Sequence, residues 1–280
     1  IFFTPTGDEV KSRAPIETPF CSISKLLLVL TSPIVAIGDF EGAIDFLRKK
    51  GAKIAAKRAD RDATEGAVIA LTSADSTTGV IIVLSCETDF VGKNEAFVTL
   101  AKELVERAIH FSSKEDFLAS DLNGITVAEK LIEQTGVIGE KLEIRTFEKL
   151  EGAFIGSYIH SGNKIATIVA LSANIDGAEE AARNVAMQAA AMSPIALNEE
   201  GVDSEIIAKE IEIAKDLLRQ EGKPEAMLEN IAKGKLARFF KDNTLVNQDY
   251  IKDSKMSVGA YVQSLDKNLT VTGFKRASLG

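Results

Sequence analysis

A chain of 280 residues with a net charge of −8 and a pI near 5.1 lacks the broad basic footprint of a nucleic-acid binder. Its 45% hydrophobic and 26% charged content is ordinary for a globular protein, with room for one large core or two to three small ones. Two cysteines (Cys21, Cys86) and two histidines (His110, His160), far apart, exclude a disulfide scaffold and a metal cluster of familiar spacing, and the thiols fit a reducing compartment.

Residues 1–37 carry Pro5, Pro15, Pro19 and Pro33 and show no clean helical period, which predicts a leader without regular structure. Inside it, residues 24–38 read SKLLLVLTSPIVAIG, an apolar run after Lys25 that loosely resembles an export signal. Thr31, Ser32 and Pro33 interrupt the run. It is also too short to span a bilayer and meets the next helix without a cleavage site. From Asp39, a predicted N-cap, Phe40, Ile44 and Leu47 share one helical face, and Gly51 is placed to end the helix. Arg48, Lys49, Lys50, Lys53, Lys57, Arg58 and Arg61 then read as a solvated face and linker, because no aromatic residues are interleaved for base stacking.

An internal repeat follows. EGAVIALTSADSTTGVIIVLSCETDF from Glu65 and EGAFIGSYIHSGNKIATIVALSANID from Glu151 each predict two strands across a polar turn. Each copy leads into an amphipathic helix, with Phe97, Leu100, Leu104 and Ala108 on one face in the first. Leu84–Ser85 and Leu171–Ser172 occupy matching places. The pattern predicts a duplicated α+β unit with antiparallel strands under helices.

Beyond Val202 a helical hairpin is predicted. Ile207, Ile211, Ala214 and Leu218 form a short seam, Gly222 caps the first helix and Pro224 opens the second. The returning helix is expected to bury Leu228, Ile231, Leu236 and Phe239. SVGAYVQSL reads as a helix and LTVTGFKRASL as a strand that completes the second unit after the hairpin.

The most unusual local feature is CETDFVGKNEAF. One reading is a strand-to-helix turn, with Asp89 or Asn94 as cap and Phe90 as a hydrophobic staple. The other is an exposed aromatic wedge beside a carboxylate, shaped for an apolar pocket on a partner. No nucleophile motif, phosphate-cradling glycine loop or paired-carboxylate signature is present, so side-chain catalysis is not indicated.

TDFVGKNEAF after VLSC closely resembles the signature of the elongation factor Ts family, the guanine-nucleotide exchange factors of bacterial and organellar elongation factor Tu. GDFEGAIDFLRKKGAKIAAKRADRDATEG, GSYIHSG, VAMQAAAMSP, EGKP, GKLARFFKD, SVGAYV and VTGFKR match further blocks in the family's order, from about Gly38 to Arg276. The resemblance implies an α+β fold: a small N-terminal helical (ubiquitin-associated-like) domain, then a duplicated α+β core with antiparallel strands and an inserted helical coiled-coil hairpin. The expected bounds are 1–37 for the leader, 38–62 for the rest of the helical domain and linker, 63–148 for the first core subdomain and 149–280 for the second, with the hairpin at about 202–242.

The resemblance also implies a function without bond-making chemistry or cofactor. The chain would bind elongation factor Tu, GDP-bound and nucleotide-free, in the cytoplasm, with no direct nucleic acid or membrane partner; homodimerisation through the core stays open. Thr88, Asp89, Phe90 and Val91 would form the loop that enters beside the nucleotide site and dislodges Mg²⁺, with Phe90 as the wedge and Asp89 as its polar neighbour. Gly92 and Lys93 adjoin that loop and, with Met187 and Gln188, are candidate partner contacts. Met187 and Gln188 match a partner-facing helix, with plain helix packing as the alternative. SISKLLLVLTSP stands where the family carries paired methionines and basic residues, so none of those contacts transfers to this chain. The front is either divergent or a stretch whose residues are not the native ones. A family-fold binding or scaffold protein that holds elongation factor Tu without exchange activity is the alternative function.

Overall fold

The computed structural model describes residues 40–279. Residues 40–49 fall in one compact unit and 50–279 in another. The proline-rich leader and the apolar run at 24–38 lie outside the described residues.

Helix α1 (Phe40–Arg58) does not end at Gly51 as its sequence suggested. A methyl group on Gly136 would sit 2.5 Å from the Gly51 Cα, so these two glycines let two helices touch backbone to backbone. Gly51 therefore serves close approach rather than termination. Of the basic residues at the end of α1, Lys49, Lys50, Lys53 and Lys57 are exposed, whereas Arg58 is half-buried.

In the first half of the core, β1 (Glu65–Thr72) and β2 (Thr78–Cys86) form a hairpin. A single turn, α2 (Asp89–Gly92), leads to α3 (Glu95–Ala108) and α4 (Lys114–Ala119). The ribbon β3 (Asp121–Leu122) and β4 (Ile125–Thr126), α5 (Val127–Ile138) and β5 (Glu143–Glu151) follow. The second half repeats the plan with β6 (Phe154–Ile159), β7 (Ile165–Leu171) and α6 (Ala178–Met192). Next come the paired helices α7 (Ser204–Gln220) and α8 (Glu225–Asn243), then β8 (Asp249–Tyr250) and β9 (Asp253–Ser257). Helix α9 (Val258–Leu265) and β10 (Val271–Ser278) complete it.

Two three-stranded antiparallel sheets result, β1-β2-β5 and β6-β7-β10. In each the third strand arrives late in sequence and pairs with the second. Leu84 stands opposite Ile144 and Leu171 opposite Val271, so the duplicated Leu–Ser positions are equivalent in space. The sheets pack on each other through Val68, Ile81 and Val83 on one side and Ile155, Ile168 and Ala170 on the other. The opposite face of the first sheet (Ala67, Ile69, Val80, Ile82, Leu84) is covered by Phe97, Leu100, Leu104 and Ala108 of α3. That of the second (Phe154, Val169, Leu171) is covered by Ala181, Ala182, Val185 and Ala189 of α6. Both faces of the central strands are therefore dry, which is why their runs are apolar throughout instead of alternating. Small residues bring α6 close: a methyl on Gly156 would lie 2.4 Å from the Ala182 Cβ.

Strand β5 had no clear sequence signal. Its apolar residues Ile144 and Phe147 are three apart, not two, because the register shifts at Arg145 where β5 pairs with Val83 and Leu84. That bulge breaks the alternation while keeping both side chains against the first core.

A short turn joins α7 to α8, which pack side by side. Gly222, at φ +74°, and the Lys223 N–H, which bonds the Leu218 carbonyl at 3.0 Å, end α7. Pro224 begins α8. Ala214, Leu218, Leu228 and Ala232 are buried between the helices, while Ile231, Leu236 and Phe239 are half-buried. Lys215 and Glu229, 3.2 Å apart, and Arg219 and Glu225, 3.0 Å apart, pair across the seam.

Candidate functional site

The chain leaves β2 at Cys86 and makes one helical turn before α3. Asn94, rather than Asp89, caps α3, its Oδ1 accepting the Ala96 N–H at 2.9 Å. Phe90 is no staple: it is 85% exposed. Val91, its neighbour, packs against the first core. The turn thus directs one apolar side chain inward and one into solvent.

Backbone contact seats this turn. Gly92 is buried, and a methyl there would lie 3.0 Å from the Gly66 carbonyl oxygen and 3.1 Å from its nitrogen. Gly66 itself sits at φ +143°, with the Leu84 carbonyl only 2.0 Å from where a Cβ would stand. A side chain at Gly92 would press α2 away from β1, and one at Gly66 would strike the β2 backbone. On the outer side, the Asp89 carboxylate pairs with Lys93 Nζ at 2.6 Å. That hydrogen bond and charge hold Asp89 below the usual carboxylate range.

Behind the turn lies a polar brace. Glu140 Oε2 accepts the N–H groups of Glu87 and Thr88 at 3.1 and 3.0 Å, and its Oε1 accepts the Thr88 hydroxyl at 2.6 Å. Arg58 Nη1 bonds both carboxylate oxygens of Glu87, at 2.7 and 2.8 Å, and the Lys141 N–H reaches Glu87 Oε1 at 2.7 Å. Desolvation pushes the Glu87 carboxyl up, but the Lys141 and Arg58 bonds outweigh it and hold its pKa below normal. Cys86 donates its thiol to the Thr88 carbonyl at 3.2 Å; burial, then the Glu140 charge, push that thiol up to about 12.

Thr88, Asp89, Phe90, Val91, Gly92 and Lys93 therefore form one braced structure, while Met187 and Gln188 lie on α6. Met187 is partly exposed, but Gln188 is fully buried. Its amide donates to the Gln248 side chain and the Asp249 carbonyl, both at 3.2 Å, and accepts the Ile251 N–H at 2.9 Å. Its side chain is thus unavailable to a partner in this conformation and instead ties α6 to the 248–251 segment. Glu87 and Glu140 carry no distinguishing mark in the sequence, and Arg58, which reads there as part of a solvated face, instead bonds Glu87. Nothing in local spacing connects a residue just beyond a helix end to a turn 52 positions earlier.

Among the described residues no group of His, Cys, Asp and Glu is placed to hold a metal ion, and no helix is long and apolar enough to cross a membrane. Phe90 is the most exposed large apolar side chain among the described residues, and it stands on a turn braced from behind by Glu140. The family model described as Elongation factor TS matches residues 87–280. The chain is 76% identical over 243 residues to "Elongation factor Ts" of Flavobacterium psychrophilum, covering 87% of this chain and 89% of that protein. It is 64% identical over 247 residues to that of Christiangramia forsetii, covering 88% and 90%. With that of Porphyromonas gingivalis it shares 44% over 245 residues, covering 86% and 88%. The chain belongs to the elongation factor Ts family.

Proposed function

We propose that this chain is a guanine-nucleotide exchange factor for elongation factor Tu, in which the turn from Thr88 to Val91 enters beside the nucleotide site, displaces Mg²⁺ and releases GDP. The observation that supports this most is Phe90, 85% exposed on a turn whose backbone sits against Gly66 and whose entry N–H groups bond the Glu140 carboxylate. An aromatic ring left in water forgoes about 2–3 kcal/mol that burial would return. A pocket on the partner recovers that energy. A partner that favours the nucleotide-poor state weakens nucleotide binding by the same factor, because linkage is reciprocal. Loss of the cation leaves phosphate charge less neutralised and favours departure of GDP. Asp89, already paired with Lys93, brings a carboxylate to the cation's vicinity. The partly exposed Met187 and the α7–α8 hairpin supply further grip, with Gln188 acting from within the packing. The reaction belongs in the cytoplasm and needs no cofactor.

Release of labelled GDP from elongation factor Tu tests this reading. The wild-type chain should accelerate release, and Asp89→Ala with Phe90→Ala should remove most of the acceleration without lowering Tm. Release unchanged by the wild-type chain overturns the proposal; a stable complex without acceleration favours the scaffold reading instead.

A further inference from the structure

Helix α2 is a single turn of four residues and lacks the local device that usually starts a helix. Thr88 occupies its N-cap position with extended backbone, φ −123° and ψ 153°, yet makes no side-chain capping bond. Elsewhere in the chain Asn94, Ser113, Thr126 and Ser257 each cap their own helix from the same position. The Thr88 hydroxyl is instead drawn to Glu140 at 2.6 Å. The same carboxylate takes the two consecutive N–H groups of Glu87 and Thr88. An isolated turn has no cooperative length to hold itself. Its entry angle is therefore set by a residue 52 positions away.

We propose that Glu140 is the positioning residue of the exchange turn, setting the direction in which Phe90 is presented, with the Arg58–Glu87–Lys141 contacts as its second support. This inference rests on the exchange reading above. Glu140 lies just past Gly139, the left-handed cap of α5 at φ +82°, and α5 is locked to α1 through Gly136 and Gly51. The carboxylate thus stands on a rigid mount, and Arg58 reaches the neighbouring carboxylate from α1. Remove Glu140 and three donors lose their common acceptor, while the Thr88 hydroxyl becomes free for an ordinary local cap that aims the turn differently. Glutamine at 140 keeps the geometry. Its carbonyl oxygen accepts both N–H groups, and its amide donates to the Thr88 hydroxyl, which changes role from donor to acceptor.

The test compares wild type, Glu140→Ala and Glu140→Gln by GDP release at rising concentrations of the full chain, alongside Tm and amide hydrogen exchange at residues 87 and 88. Glu140→Ala should lower the saturating release rate about tenfold, with the half-saturating concentration unchanged within about twofold, because the other surfaces still hold the partner. Glu140→Gln should stay within about twofold of wild type in both quantities. A merely structural role would lower Tm in the alanine variant and shift both kinetic quantities together, and that result overturns the proposal. So does a saturating rate equal to wild type in Glu140→Ala, or equal damage in the two variants. If wild type itself gives no acceleration, the exchange reading fails, and amide exchange then decides separately. Faster exchange at residues 87 and 88 in Glu140→Ala supports the brace, and unchanged exchange overturns it.

Discussion

Phe90 and Val91 show how one turn assigns opposite fates to adjacent apolar residues. Val91 contributes to the first core, while Phe90 remains in water. Cys86, at the base of the same turn, has the opposite character: it is fully buried with its thiol pushed up to about 12. Burial and the raised pKa both keep its reactive thiolate scarce and out of reach at pH 8. In a Cys21→Ser background, alkylation of Cys86 at pH 8 should therefore be far slower in buffer than in guanidinium, as mass spectrometry would register. Equal rates would show that the thiol is neither buried nor raised. The linkage has the matching sign. The folded state resists ionisation, so this group's contribution to stability falls as pH rises from the unfolded value toward the folded one.

Among the elements, glycines in helices have two opposite meanings here. Gly136 in α5 meets the α1 backbone, and a methyl group there would collide with the Gly51 Cα at 2.5 Å. Gly234 in α8 has nothing within 4 Å. Gly136→Ala should lower the free energy of unfolding by about 1–3 kcal/mol through overpacking. Gly234→Ala should raise it by about 0.5–1 kcal/mol by reducing backbone freedom in the unfolded chain. Urea titration of both variants checks the pair, and the same sign for both would refute the distinction. Gly51 looks like a helix end in the sequence because a local pattern cannot show a second helix pressed against it. For β5 the same limit applied in another form: a bulge at Arg145 removed the two-residue period on which strand recognition depends.

Across the whole molecule, the two duplicated halves depend on one another through the face between their sheets. Ile168 lies there, fully buried among residues of both sheets. Ile168→Ala should lower global stability by about 2–5 kcal/mol. In contrast, Leu217→Ala on the exposed side of α7 should change it by less than about 0.5 kcal/mol. Both are measured by the midpoint of chemical unfolding, and comparable losses would mean that the sheets do not share a core. The strand order makes this dependence a consequence of topology. Each sheet waits for a strand supplied late in sequence, β5 or β10, before its helix and its partner sheet have a complete surface to cover.

The repeat, the strand pairs, the helices over them and the strand-to-helix turn at 88–91 were all readable from residue order. Each depends on a short-range pattern: apolar runs, helical spacing, turn residues and caps. Family membership followed from several such blocks in sequence. Tertiary structure alone decided what long-range contact controls. It carried α1 through Gly51, inserted the β5 bulge and turned Gln188 inward. It also resolved whether Phe90 was a staple or an exposed ring, because that choice depends on which neighbours are present and not on spacing. The support of the turn was equally out of reach of local pattern: Thr88 gave up its own helix cap for Glu140, a carboxylate brought beside it only when α5 docked on α1 and the first sheet closed.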